Sequence, residues 1–279
     1  MPAPDPVLAA LRQNDRERYL ATLVLPADRR PAVAALYAFA AEIALTAERV
    51  HEPRAGEIRL QFWADALEGE PHGEVKANPV AAGLFAAMAR YRLPSGTLLR
   101  LINARRFDLY QDPMPDMASM EGYAGEINAT LFQLAAMILN HGEPIEDGTA
   151  SGHLGVAQAL IGHMRAFGYH ASRGRIFLPW TILAANGVQE SEILSGRTSE
   201  GLVEAFGQFH DIARDHLDKA EAGLAALPPA TRPALALFPV LRRQLALLQR
   251  QPTPFTAPPD LADWRKLILM AAWSWRAGR

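Results

Sequence analysis

An all-α fold is predicted for this chain by three features of its sequence. Ala, Leu, Arg, Glu and Gln dominate the long segments, and these residues lose little conformational freedom in a helix. Val and Ile are sparse. No stretch alternates apolar and polar residues for long, as a half-buried strand would require. The 279 residues, 49% hydrophobic, are enough to bury a sizeable core.

Read in order, the pattern predicts helices over 4–14 and 16–24, closed by Pro26, and a long one over 28–50. In that third helix Val33, Leu36, Tyr37, Ala40, Ala44 and Ala47 recur at three- and four-residue steps, defining one inward face. Pro53 precedes a helix over 55–69 and Pro71 one over 78–91; Pro94 precedes 95–109, with Ser95 expected as its N-cap. Pro113 and Pro115 separate that segment from 119–140, and Gly142 separates it from 150–167. Helices over 180–186 and 200–226 follow. Pro228 and Pro229 introduce 231–249, and QPTPFTAPPD leads into 260–276, with Asp260 as the expected N-cap. The breaks are short and no internal repeat occurs, which predicts one domain over 1–279.

A formal charge of −2 supplies no basic field for a polyanion, so nucleic-acid binding is not expected. The chain has no cysteine, which excludes disulfides, thiolate metal sites and a cysteine nucleophile. No segment approaches the roughly 20 apolar residues that cross a bilayer, and the first residues have neither signal- nor transit-peptide character. The expected location is cytoplasmic, with a peripheral position at the inner membrane as the further option. Glycine-rich phosphate loops, a GxSxG elbow and HExxH are absent.

YLATLVLPADRRPAVAALYAF, IRLQFWADALEG, NPVAAGL and RGRIFLPWTILAANGV occur in that order. The series resembles the landmarks of the squalene/phytoene synthase family, from about residue 16 to the C-terminus. The resemblance implies an isoprenoid-synthase-like helical bundle around a central cavity. Active members join two prenyl diphosphates head to head, using magnesium held by two Asp-x-x-x-Asp motifs. A spacing of four places both carboxylates of a motif on one helical face. The resemblance puts the first motif's carboxylates at Ala44 and Glu48, and the second motif's at Ala166 and His170, with an accompanying glutamate at Tyr169. Three of the four aspartate positions therefore lack a hard oxygen ligand, which magnesium prefers. Metal assistance is worth several kcal/mol, so its loss implies roughly three orders of magnitude in rate or more.

The substituted residues themselves form a pattern. AFxxEIA at 38–44, RLQFW at 59–63 and RAxxYHxSRxxxFLP at 165–179 resemble the non-catalytic branch of the family, which includes a mitochondrial assembly factor for respiratory complex I. That resemblance implies a protein without catalytic residues or resident cofactor that assists complex I assembly. Its expected partners are complex I subunits or assembly intermediates, with a lipid or prenyl ligand retained in the cavity. The alternatives are a prenyl transferase acting on farnesyl or geranylgeranyl diphosphate, which would need Mg2+, and an isoprenoid-binding module.

Arg165, Tyr169, Ser172, Arg173 and Arg175 are the candidates for binding a diphosphate or a partner, because guanidinium pairs with phosphate oxygens without a metal. The expected cavity is mostly apolar, with Arg165, Arg173 or Arg175 near its mouth; the competing expectation pairs Arg165 and Arg173 with Glu42 and Glu48. Gly168 is expected to stop the helix that contains the second motif. Asp211, Asp215 and Asp218 match Asp-x-x-x-Asp literally but lie outside the landmarks, and read as a solvated face. Asp108 stays open, since the resemblance implies an acidic residue nearby. His170 is a candidate pH-sensitive group, and the Trp- and Arg-containing final helix suits core packing, a membrane interface or a partner groove.

Overall fold

The computed structural model describes residues 5–50, 52–69, 75–146, 149–251 and 253–278. Pro71, the first residue of the helix expected over 4–14, and Pro252 lie outside them. Among the described residues there are helices and no strand. The α-helices are α1 (Pro6–Asn14), α2 (Arg16–Leu23), α3 (Arg30–Ala44), α4 (Thr46–Arg49), α5 (Pro53–Glu68), α6 (Pro79–Tyr91), α7 (Ser95–Arg105) and α8 (Met117–Ala124). They continue as α9 (Thr130–Leu139), α10 (Ala150–Arg165), α11 (Phe167–Ala171), α12 (Trp180–Ala185), α13 (Glu190–Leu194), α14 (Glu200–Gly223), α15 (Phe238–Leu248) and α16 (Asp263–Ala277).

The prolines act as helix starters more than as separators. Pro53 and Pro79 each occupy the first turn of a helix, where the missing N–H removes no intrahelical bond. Asp5, Asp15, Asn78, Asp116 and Ser199 cap their helices through side-chain oxygens. Two expected caps are corrected. Ser95 is the first helical residue behind Pro94 and makes no cap bond. Asp260 precedes α16 by three residues and is engaged by Lys266 and Arg165.

Three long expected helices are interrupted; the one expected over 231–249 opens as a 3-10 helix that ends at Leu235 and becomes α15 only at Phe238. The helix expected over 28–50 breaks between Ala44 and Thr46, where the Thr46 hydroxyl donates to the carbonyl of Glu42 at 3.2 Å. The helix expected over 119–140 contains a π-helical turn, Gly125–Ala129. There the Thr130 hydroxyl donates to the Gly125 carbonyl at 3.1 Å, and the extra residue turns Asn128 inward. Gly168 does not end a helix: α10 stops at Arg165, and Gly168 lies inside α11. A Cβ at Gly168 would sit 2.5 Å from the Phe255 carbonyl oxygen, so close backbone approach is what requires glycine there.

Helix α10 runs through the middle of the bundle, against α14, α15, α8 and the π-turn, while α3 packs between α1, α6 and α9. Leu154, Ala157, Leu160, Ile161 and Met164 of α10 meet Phe209, Ala213 and Leu217 of α14 in the core. The α10 backbone passes very close to the π-turn at Gly155, where a Cβ would lie 2.6 Å from the Ala129 amide nitrogen.

Gly155→Ala is therefore expected to destabilise the protein by about 2 kcal/mol through overpacking against backbone. Gly152→Ala in the same helix, where a Cβ meets nothing within 4 Å, should be neutral or slightly stabilising. Urea unfolding midpoints at unchanged m-value would check the contrast.

Candidate functional site

The break between α3 and α4 forms one wall of a cavity of about 520 Å3. Small residues of this wall, Ala41, Ala44 and Ala47, leave the space open, and Glu48 stands exposed at the rim. The facing wall comes from the end of α7 and the segment after it, from α8, and from the end of α10 through Phe177. It holds Arg105, Asp108, Tyr123, His163, His170 and Phe177, with Tyr169, Arg173 and Arg175 toward solvent.

The interior of that wall is a polar network. Tyr123 donates its hydroxyl proton to Asp108 at 2.6 Å, and Arg105 donates to Asp108 at 2.9 Å and to the Tyr123 oxygen at 3.0 Å. Asp108 is buried. Burial pushes the Tyr123 hydroxyl well above its ordinary pKa of 10, so it remains a donor. Opposite, the buried Arg18 donates to Asp15 at 2.8 Å, to Asn128 at 2.9 Å and to Gln158 at 3.3 Å. The His163 ring stacks on Phe177 at 4.9 Å, with His170 edge-on to Phe177 at 4.7 Å.

These residues do not fit a magnesium cluster. Ala44 and His170 line the cavity at two aspartate positions and Ala166 does not line it at all. The Asp15 and Asp108 carboxylates are committed to Arg18 and to the Arg105–Tyr123 pair. Glu48 is the one cavity carboxylate with no such partner among the described residues. One carboxylate cannot supply the several hard oxygen ligands that a bridging magnesium site uses. Among the described residues there is also no group of three or more His, Cys, Asp or Glu able to hold a metal ion.

The cavity unites Ala44, Glu48, Tyr169, His170, Arg173 and Arg175, but the expectation of a mostly apolar lining fails. Four guanidiniums and three carboxylates face it. Arg165 is elsewhere: it lines a neighbouring cavity of about 250 Å3, across the wall formed by Arg105, His163 and His170. There it contacts Glu17 at 3.5 Å and Asp260 at 3.1 Å, so the pairing of Arg165 with Glu42 or Glu48 is also overturned. Arg173 makes no ion pair among the described residues; its guanidinium lies over the Tyr169 ring, 3.7 Å from the centroid. Ser172 is exposed and donates to the Tyr169 carbonyl at 2.8 Å, closing a local turn rather than facing the cavity.

Asp108, left open by the sequence, is a cavity residue. Arg18, Arg105, Tyr123 and His163 were missed; the spacing of Arg105 and Asp108 in RRFD, three residues apart across a helix end, was the available signal. Asp211, Asp215 and Asp218 pair with Arg214, Lys219 and Arg242 on the surface.

His170 is not a switch near neutrality. Burial, followed by the Arg175 charge, lowers its pKa to about 4, and burial with the neighbouring His170 lowers that of His163 to about 3. Both folded values lie below the ordinary 6.5, so between them the unfolded chain binds more protons than the native one. Stability is then full above about pH 6.5 and declines as pH falls toward the folded values. Thermal melts between about pH 7 and about pH 4 should show a falling midpoint. His163→Gln should flatten that slope, and an unchanged slope would exclude His163 as a contributor.

Residues 11–268 match the family described as squalene/phytoene synthase. The chain is 31% identical over 243 residues to NADH dehydrogenase (ubiquinone) complex I, assembly factor 6 of Homo sapiens, covering 87% of this chain and 73% of that protein. It is 28% identical over 273 residues to 15-cis-phytoene synthase of Synechococcus elongatus, covering 89% and 85%. In fold it is similar to the squalene synthase HpnC of Alicyclobacillus acidocaldarius, with a TM-score of 0.73 at 22% identity over 88% of this chain and 92% of the other. A dehydrosqualene synthase crystallised with a ligand superposes with a TM-score of 0.79 at 19% identity, covering 95% and 93%. With its helical cavity and the match over nearly its whole length, the chain belongs to the squalene/phytoene synthase family.

Proposed function

We propose that this chain is a non-catalytic family member that assists the assembly of respiratory complex I, acting in the cytoplasm and peripherally at the inner membrane. One observation carries the reading: the cavity keeps its helical frame, while Ala44 and His170 face it where carboxylates would hold a metal and its inner aspartates are tied to arginines. Similarity to the complex I assembly factor supports the partner class, subunits or assembly intermediates of complex I.

A second reading, an isoprenoid-binding module, is favoured by the arginines. Arg173 and Arg175 line the cavity mouth without carboxylate partners among the described residues. A lipid or prenyl group with an anionic head would match that donor set. The phytoene synthase similarity keeps a prenyl transferase acting on farnesyl or geranylgeranyl diphosphate as the reading to be tested against.

The purified protein, incubated with either diphosphate and magnesium, is expected to form no squalene, phytoene or presqualene-type product; ordinary turnover would defeat the non-catalytic reading. Deleting the gene should lower the level of assembled complex I. If complex I is unchanged while a prenyl product disappears, the assembly role is wrong. Arg173→Ala and Tyr169→Ala should lower assembly with nearly unchanged thermal midpoints, because both side chains are exposed. Arg165→Ala should instead lower the midpoint by breaking the contacts to Glu17 and Asp260.

A further inference from the structure

Helix α16 has two unlike faces. Lys266, Met270 and Ser274 are buried at four-residue steps. Lys266, 1% exposed, donates to Glu17 and to Asp260, each at 2.7 Å. Trp273 stacks on Phe238 at 5.8 Å, and Arg232 donates to the Ala277 carbonyl at 3.0 Å. The helix is thus clamped along its length.

On its outer side Trp264, Ile268 and Trp275 are 60%, 58% and 61% exposed. At about 100° per residue they fall within about 40° of one another, a single row with the exposed Ala271 and Ala272 between. Arg265 and Arg276 are exposed along one edge of the row, and the Arg265 guanidinium lies 5.1 Å from the Trp264 ring centroid. The helix's one acidic residue, Asp263, is engaged by Arg16 at 2.7 Å. The exposed side of α16 therefore carries indoles and cations, although the chain as a whole has a formal charge of −2.

We infer that the outer face of α16 is a membrane-docking surface that lies parallel to an anionic phospholipid bilayer, with Trp264, Ile268 and Trp275 among the headgroups and Arg265 and Arg276 on the phosphates. The inference deepens the peripheral location within the reading above and rests on it for that alone. Two properties select lipid over a protein partner. The row exposes roughly 350 Å2 of large side chains, less than half of the roughly 800 Å2 each partner contributes to a stable protein interface. A row one residue wide needs no complementary pocket to enter a headgroup layer, where amphipathic indole and snorkelling arginine are both accommodated. Charge complementarity supplies the second signal that a shallow apolar anchor requires. Among the described residues no helix is long and apolar enough to cross a membrane, so the contact described is side-on.

The test is co-sedimentation of the purified full chain with vesicles of phosphatidylcholine, with and without phosphatidylglycerol, in the absence of any complex I component. Wild type should bind the anionic vesicles, less so as salt rises. Trp264→Ala with Trp275→Ala should reduce binding at least about tenfold with an unchanged melting curve. Arg265→Gln and Arg276→Gln should each cost about fivefold on anionic vesicles and little on neutral ones. Absence of wild-type binding to anionic vesicles, or equal binding by the double tryptophan variant, would overturn the inference. Because the assay contains only protein and lipid, its failure leaves the assembly reading standing, and normal complex I in a deletion strain leaves the lipid result standing.

Discussion

The guanidinium of Arg18 is the point through which the cavity is held open. It is buried, and a charge in that position is tolerated only when it is paired and hydrogen-bonded. Asp15 supplies the counter-charge, Asn128 and Gln158 supply further acceptors from the π-turn and from α10, and the Tyr37 ring lies 5.7 Å away on α3. Asn128 reaches this position because the helix gains a residue at Gly125–Ala129. Its amide also donates to the Gly155 carbonyl at 3.4 Å, where α10 passes closest to the π-turn. Charge satisfaction, the π-turn and the glycine contact are one constraint seen at three places.

The cavity keeps this frame with a different chemical interior. Where two acidic motifs would face each other across a metal cluster, one wall carries alanines and a rim glutamate, and the other carries imidazoles and a Tyr–Asp–Arg network. The imidazoles, stacked on or edge-on to Phe177 and held neutral by burial, are poor hosts for magnesium. Neutral rings with a donor and an acceptor each, framed by arginines, are suited to holding an anionic or polar group in place. Magnesium, which stabilises a departing charge as a Lewis acid, finds few hard oxygen ligands among them.

The clamp on α16 accounts for an arginine that the motif alone would assign to the cavity. Arg165 and Lys266 share the carboxylates of Glu17 and Asp260, and Gln244 donates to Glu17 at 2.6 Å. Two cations and two carboxylates from α2, α10, α16 and the segment before α16 thus neutralise one another in a partly buried cluster, with the neutral amide of Gln244 on α15 as a further donor. These contacts fix the buried side of the last helix, and its outer row of Trp264, Ile268 and Trp275 faces solvent.

Composition and periodicity were sufficient for the all-α class and for the existence and order of the long helices, because those depend on local propensity and on spacing along the chain. The resemblance to the family assigned Ala44, Glu48 and His170 to its motif positions, and all three line the one cavity. Other features belonged to the tertiary structure alone. Whether Arg165 faces the cavity depends on Glu17 and Asp260, far from it in sequence. The π-turn depends on what Asn128 must reach, and Gly168 on the Phe255 backbone. The polar lining, which replaced the expected apolar one, arises where α2, α7 and the end of α10 converge. Sequence periodicity reports which face of a helix turns inward; which charges then meet there is decided by contacts between residues distant in the chain, and local pattern carries no record of them.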